Sequence, residues 1–295
     1  MNITNKITRE YFDSLLLEFR LMDGIIPSTE FNLYGETFSS PIMTAALSHL
    51  KTFNQDLENP MVDYAKGAAL ANCVHWIGMG SNEELESVIK TGAATIKIIK
   101  PYEDEDKIYK KIEHAEKVGA LAVGMDIDHI FANDGSLDIV LGEKMSIKSP
   151  STLGKYISST KLPFIIKGVL SVKDAVKSVE IGAKGIVISH HGGRLDYAVP
   201  PLMILPDIAK EIGKDIPIFV DCGITSGMDA YKALALGATA VSVGGHLIPY
   251  IRKGGVQGVY DRLQAMTNEL RGLMANTGVK DVNSFDSTVI HHKNF

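Results

Sequence analysis

The sequence is poor in cysteine and contains no long apolar run. Its two cysteines, Cys73 and Cys222, lie far apart among 295 residues and form no C-x-x-C pair. We therefore expect a reducing compartment, with neither a disulfide framework nor a metal site. No apolar run approaches the roughly 18 residues that a membrane helix needs. The N-terminus lacks the basic and then apolar pattern of a signal peptide, so the sequence predicts a cytoplasmic protein that does not bind membranes.

The chain also lacks an excess of positive charge. Its 30 lysines and arginines against 35 aspartates and glutamates give a net charge of −5 at pH 7. This mild acidity provides no electrostatic reason to expect nucleic-acid binding. Apolar residues make up 45% and charged residues 22%, which is typical of a globular protein with a sizeable core. The expected partner is a small-molecule substrate.

Eight short apolar runs, rich in valine and isoleucine, recur along the chain. Nearly continuous apolarity is typical of strands that are buried on both faces. The runs predict strands over residues 41–45, 73–79, 94–99, 120–127, 163–168, 185–190, 217–223 and 239–245. Between them lie amphipathic segments with helix start and stop signals, such as Ser81 with Glu84 as a capping box and Gly92 as a stop. Segments of this kind occupy residues 81–92, 104–119, 171–182 and 226–237.

This alternation predicts one closed (β/α)8 barrel, a TIM barrel, over residues 1–295 as a single domain. No linker rich in proline, glycine or serine divides the chain. A doubly wound sheet is the alternative, but it needs neither eight units nor their even spacing. A helix around residues 8–19 precedes the barrel, and a long helix around residues 255–276 follows it.

Ionisable residues stand at the ends of the predicted strands, where such barrels carry their chemistry. Charged groups are normally kept off buried strands, so their convergence favours a functional site over packing. The polar residues and glycines at these ends are Lys97, Asp126, Asp128, Lys167, His190, His191, Arg194, Asp221, Gly244 and Gly245.

Four of these residues suggest a catalytic site. His191 and Arg194 follow the sixth strand around two glycines, and they combine a general base with a cation for an anionic substrate, unless they belong to an ordinary surface loop. Lys167 either reaches solvent or places a positive charge beside a group that gains negative charge, such as a reduced flavin. Asp128 is either a helix cap or the carboxylate that orients His191.

Residues 221–245 combine a strand, a glycine turn, a helix and a strand that ends in Gly-Gly. Such turns and a helix N-terminus at the seventh and eighth strands form the usual phosphate site of this barrel.

Residues 163–212 and 221–245, extended by 19–47 and 254–279, resemble the FMN-dependent α-hydroxy-acid dehydrogenase/oxidase family of glycolate and lactate oxidases. The resemblance implies FMN as cofactor and a homo-oligomer, a tetramer in that family. It places Lys167 beside the flavin N1–C2=O region, His191 as the base, Arg194 on the substrate carboxylate and Asp128 as the group that orients His191. The flavin-binding residues it implies are Thr44, Ala45, Ala46, Lys97, Lys167, Ser189, His191, Gly192, Asp221, Gly223, Thr225, Ser226, Gly244 and Gly245.

The sequence departs from the family pattern around the substrate. His190 replaces an asparagine, and one residue is missing after Arg194. Lys97 and Ile99 replace a glutamine and the usual active-site tyrosine, and Asp126 replaces a threonine. The loop after the fourth strand is shorter than usual, and the second substrate-binding arginine has no counterpart in it.

The arginines that usually assist the FMN phosphate are replaced around Thr225, Ser226 and Gly245.

From the resemblance and from the departures around the substrate, we expect an FMN-dependent oxidoreductase acting on CH–OH groups, whose substrate is not a small 2-hydroxy acid. The alternatives are a flavin-dependent isomerase without net redox chemistry and a flavin-binding protein with little turnover.

Overall fold

The computed structural model describes residues 2–22, 24–52, 57–213 and 215–293. Its strands are β1 (Leu15–Leu17), β2 (Phe31–Leu33), β3 (Glu36–Phe38), β4 (Ile42–Thr44), β5 (His75–Ile77), β6 (Thr95–Ile99), β7 (Ala122–Asp126), β8 (Ile139–Val140), β9 (Glu143–Lys144), β10 (Phe164–Val169), β11 (Gly185–Ile188), β12 (Ile218–Val220), β13 (Ala240–Val243) and β14 (Ile290–His292). Its α-helices are α1 (Ile3–Ser14), α2 (Pro60–Leu70), α3 (Asn82–Ile89), α4 (Glu105–Lys117), α5 (Pro150–Ser158), α6 (Val172–Glu180), α7 (Pro201–Ile212), α8 (Gly227–Ala235) and α9 (Ile248–Asn276).

Eight parallel strands form the barrel, in the order β4-β13-β12-β11-β10-β7-β6-β5. The two ends of this order also meet, because Thr44 N donates to Val74 O at 3.1 Å and Leu47 bridges to Ile77 in parallel. The eight predicted strands are thereby confirmed, most of them shortened at both ends. The closure also decides against the doubly wound alternative.

Helices cover the outside of the barrel, and α3, α4, α6 and α8 begin where the sequence predicts, whereas α2, α5 and α7 were not predicted. The hydroxyls of Ser81, Ser171 and Ser226 each accept a hydrogen bond from the amide three residues further on, which caps α3, α6 and α8. Among the helices of the described residues, none combines the length and the apolarity that crossing a bilayer requires.

The N-terminal helix lies earlier than residues 8–19, so that prediction is wrong in its bounds. Asn2 caps α1 by accepting from Asn5 N, and the helix ends at Ser14. Leu15–Leu17 pair instead with Ile290–His292 in an antiparallel ladder. A strand partner so distant in sequence gives no local signal, and the apolar residues of β1 therefore resembled a helix continuation.

The long C-terminal helix is confirmed over residues 255–276, and a further helical turn precedes it. Gly255 interrupts α9 with φ 51° and ψ −130°, so the part from Ile248 to the kink is a short separate piece. It follows a 3-10 turn, Gly245–Leu247, which begins directly after β13.

The connection between β7 and α5 is compact. It contains a 3-10 turn, Ile127–His129, and the hairpin of β8 and β9. This loop lies at the C-terminal end of the barrel and carries residues that contact the site.

Candidate active site

A cavity of about 580 Å³ opens at the C-terminal ends of the barrel strands, against α1. A cavity of this size can hold a nucleotide-sized ligand. Its lining comprises Asn5, Thr8, Arg9, Ala45, Ala46, Leu47, Lys167, His191, Gly192, Asp221, Cys222, Gly223, Ile224, Thr225, Ser242, Gly244, Gly245 and His246.

The lining includes ten of the residues expected to bind flavin, and four others lie outside it: Thr44, Lys97, Ser189 and Ser226. Thr44 Oγ1 is 2.9 Å from His75 Nδ1 in the core. Lys97 Nζ donates to the carbonyl of Gly78, and the side chain is 2% exposed. Neither side chain reaches the cavity surface, so Lys97 is not available there as a second cation.

The turn at His191 holds an unusual backbone. His191, Gly192 and Gly193 have φ of 50°, 70° and 91°, all in the left-handed region. A non-glycine residue there costs free energy and persists only where its surroundings fix it, which is frequent at functional sites. Ser189 Oγ accepts from His191 N at 3.0 Å, so Ser189 supports the turn from behind.

The first residues of α1 hold this turn from the other side. Asn2 Nδ2 donates to Gly192 O at 2.9 Å and to Gly193 O at 3.1 Å, and Asn5 Nδ2 donates to Gly192 O at 3.0 Å. Gly193 has a left-handed φ, and a Cβ there would displace the Asn2 amide from this contact. These contacts fix the position from which the His191 side chain enters the site.

The His191 ring lies between two charged groups. Its Nδ1 is 3.1 Å from both carboxylate oxygens of Asp128 and 3.5 Å from Lys167 Nζ. Asp128 is half-buried, and this desolvation raises the pKa of its carboxyl, but Lys167 and the hydrogen bond from His191 outweigh desolvation and hold that pKa below its ordinary value. Asp128 is therefore an anion that holds a proton on Nδ1 of His191 and leaves Nε2 as the atom that can act as a base.

Lys167 is buried among carboxylates. Its Nζ lies 3.3 Å from Asp126 Oδ1 and 3.4 Å from Asp221 Oδ2. Desolvation lowers the pKa of Lys167, but the charges of Asp221 and Asp126 outweigh it and raise the pKa well above the ordinary value. Asp126 also pairs with Lys100 at 2.6 Å. Lys167 is therefore a permanent cation on the cavity wall.

Arg194 contacts the loop between β7 and α5. Its Nη2 donates to Asp138 Oδ2 at 2.7 Å and to Phe131 O at 2.8 Å, and its Nη1 donates to His129 Nδ1 at 3.0 Å. The cation predicted to hold a substrate anion already faces an internal carboxylate.

Sequence reasoning missed His129 and Asp138. His129 Nε2 lies 3.2 Å from His191 Nε2, and the two rings meet edge to face with centroids 4.3 Å apart. His129 Nδ1 lies between Arg194 Nη1 and the Asp138 carboxylate, whose Oδ2 is 3.3 Å away, so it can accept from Arg194 in one tautomer or donate to Asp138 in the other. Burial lowers the pKa of His129 to about 4, with Lys100 adding to the effect, so the ring is neutral. The only sequence signal was the place of His129, directly after Asp128.

Asp128, His129 and His191 each bring a possible metal-ligand atom within 4.8 Å of the others. The expectation of no metal stays a prediction at this cluster.

His190 points away from His191: its Nε2 is 2.9 Å from Thr8 Oγ1 of α1.

Comparison with known proteins gives consistent matches. The chain matches the profile of the family described as FMN-dependent dehydrogenase over residues 1–157 and 144–292. It is 27% identical to a 2-hydroxyacid oxidase of Dictyostelium discoideum over 93% of this chain and 78% of that protein. It is 28% identical to an L-lactate oxidase of Lactobacillus jensenii over 91% of this chain and 73% of that protein. A solved structure, a mandelate oxidase variant with the monooxide FMN adduct, superposes with a TM-score of 0.88 at 26% identity, over 99% of this chain and 92% of that one.

Proposed function

The chain belongs to the FMN-dependent dehydrogenase family, and we propose that it oxidises a secondary alcohol of an organic substrate with His191 as the base. The observation that carries this proposal is the His191–Asp128 pair, at 3.1 Å, beside the buried Lys167 cation on a 580 Å³ cavity. A base, a group that orients it and a fixed cation at one barrel mouth are the parts that removal of a carbinol proton needs.

The cavity fits FMN. A Cβ on Gly192 or Gly245 would meet no atom within 4 Å, so both glycines leave open space for a ligand to approach the backbone. The first amides of the 3-10 turn Gly245–Leu247 have no acceptor within their own turn and suit a phosphate. Lys167 would lie at the flavin ring, and the turn at Gly244 and Gly245 at its phosphate.

Each of these residues has a separate role in the proposed reaction. His191 Nε2 takes the hydroxyl proton of the substrate, and Asp128 stabilises the imidazolium that results. When bound, FMN supplies the acceptor for the hydride that leaves the carbon bearing this hydroxyl. Lys167 balances negative charge on the cavity wall. The substrate hydroxyl has to take the place that the His129 ring now occupies 3.2 Å from His191 Nε2.

We further propose that the substrate is not a small 2-hydroxy acid. Arg194 is paired with Asp138, and Lys97 is buried away from the cavity on the carbonyl of Gly78. No second arginine stands ready for a free carboxylate in the loop between β7 and α5 as far as residues 127–149 are described. The site therefore favours a larger substrate that is held mainly by its apolar or cationic parts.

Anaerobic addition of a panel of 2-hydroxy acids to the holoprotein tests this function. The panel contains glycolate, lactate, mandelate and long-chain hydroxy acids. Bleaching of the flavin absorbance by a larger member supports the proposal. Product without bleaching indicates an isomerase, and neither product nor bleaching with any compound indicates a flavin-binding protein without turnover. The resemblance also predicts a homo-oligomer, a tetramer. Light scattering, which measures the mass of the assembly in solution, tests this prediction.

A further inference from the structure

Arg262 of α9 lies directly behind the cavity wall and contacts two of the residues that line the cavity. Arg262 Nη2 donates to Thr225 O at 2.5 Å, and its Nε donates to His246 Nε2 at 3.0 Å. Thr225 and His246 both line the cavity, one after β12 and the other after β13. The guanidinium therefore bridges the two loops in which the family pattern has arginines and this sequence has none.

The charge of Arg262 is not neutralised by the protein. Both of its acceptors are neutral, and within the described residues no carboxylate oxygen lies within 4.0 Å of its nitrogens. It also lies 5.4 Å from the centre of the Tyr250 ring. The other arginine at this end, Arg9, differs, because it forms a bidentate pair with Asp229 at 2.9 and 3.1 Å. Of these two arginines, Arg262 is thus the one whose charge is not paired with a carboxylate and is available to an anion.

Backbone amides at the N-terminus of α8 already donate to carboxylates of the protein. Thr225 N donates to Asp229 Oδ2 at 3.0 Å, and Gly227 N donates to Glu269 Oε2 at 2.7 Å. The Ser226 hydroxyl accepts from Asp229 N at 3.1 Å. Two carboxylates at a helix N-terminus take the place that a phosphate would otherwise occupy. This shifts an anion from α8 toward Gly244, Gly245 and His246.

His246 becomes a hydrogen-bond donor through Arg262. Arginine only donates, so His246 Nε2 is the acceptor and the neutral ring carries its proton on Nδ1. Burial lowers the pKa of His246, and the Arg262 charge lowers it further, so the ring is neutral near pH 7. The ring lines the cavity with one N–H still to donate.

We propose that Arg262 and His246 form a relocated phosphate clamp for FMN, with Arg262 supplying the charge and His246 a neutral donor. The proposal rests on the assignment of the cavity to the flavin. In this clamp, a side chain from α9 takes the place of the loop arginines that the family pattern has. Helix α9 packs beneath both loops.

Flavin binding to the apoprotein tests the clamp without measuring turnover. Titrations with FMN and with riboflavin, followed by fluorescence quenching, give two dissociation constants for each variant. Arg262→Gln should weaken FMN by about 10- to 100-fold, as loss of a charge-assisted bond does, and leave riboflavin within about twofold. Arg271→Gln, an exposed arginine on the same helix, is the control and should change neither constant.

Conservative variants separate the clamp from a structural role. Arg262→Lys keeps the charge and should recover part of the preference for FMN over riboflavin. His246→Asn keeps a donor and should bind FMN better than His246→Ala. Equal FMN affinity in wild type and a folded Arg262→Gln overturns the clamp. A wild type that binds neither FMN nor riboflavin overturns the flavin assignment itself.

Discussion

Arg194 and Asp138 form an ion pair at the mouth of the site, with Nη2 2.7 Å from Oδ2. Burial raises the pKa of Asp138, but the contacts with His129 and Arg194 outweigh it and hold that pKa below its ordinary value. Asp138 is therefore ionised, and the guanidinium already has a carboxylate partner. A substrate carboxylate has to compete with this internal one, which gives the loop after β7 control over what Arg194 can bind.

Asp138→Asn should open the site to small hydroxy acids. Removing the carboxylate frees the Arg194 charge for an external anion, and a gained charge-assisted bond lowers the KM for lactate or glycolate by about 10-fold. Steady-state kinetics with both acids measure this. Asp134→Asn is the control. This exposed carboxylate lies in the same loop, and within the described part of the chain it accepts hydrogen bonds only from Ser136. An unchanged KM in Asp138→Asn would contradict the role given to the ion pair.

His191→Ala should retain FMN and lose turnover by about 100-fold or more, as loss of a general base usually does. The visible spectrum reports the flavin, and kcat on the best substrate reports the chemistry. His190→Ala is the matched neighbour, and its effect should be milder because His190 contacts Thr8 of α1 instead of the cavity. Large and equal losses in both variants would show that the adjacent histidines act as a unit or that the base is misassigned.

The buried Lys97 should make stability depend on pH. Desolvation lowers its pKa to about 7 from an ordinary 10.5, with the charge of Lys111 adding to the effect. Between these two values the unfolded chain holds a proton that the native chain has released, so the free energy of unfolding rises with pH in this window. The contribution of this group vanishes as the pH falls below about 7, where both states are protonated.

Urea unfolding of wild type and Lys97→Met at pH 7, 8 and 9 isolates that contribution, because all other groups are shared. The wild type should gain up to about 1.4 kcal/mol per pH unit relative to the variant. Parallel pH profiles of the two proteins would mean that Lys97 keeps its proton in the fold.

The pair of Arg9 with Asp229 should fasten α1 to the barrel. Asp229 is 2% exposed and also accepts from Thr225, so removing Arg9 leaves a buried carboxylate short of its cation. Arg9→Met should lower the free energy of unfolding by about 1.5–3 kcal/mol. Lys6→Met, on the exposed face of α1, is the control.

A double-variant cycle with Asp229→Asn checks the cause, since partners in one ion pair should give a total smaller than the sum of the single effects. Urea titrations of the four proteins supply the numbers. Strictly additive effects would show that Arg9 stabilises α1 through other contacts.

The eight barrel strands and the helices α3, α4, α6 and α8 were readable in the sequence because their causes are local. A buried strand shows itself by its own apolar run, and a cap by a serine three residues before the amide that it binds. The same holds for the turn at His191, where two glycines supply the left-handed backbone. The Asp128–His191 pair was expected from resemblance, and the structure brings the two within 3.1 Å.

Tertiary structure decided the features whose partners are distant in the chain. Helix α1 ends at Ser14 because Leu15–Leu17 find their partners at Ile290–His292, and no local pattern reports such a pairing. Arg194 meets Asp138, and Arg262 meets Thr225, only after the barrel has closed. A sequence determines which charges and donors a chain carries, whereas burial and packing determine which of them remain free to bind a ligand.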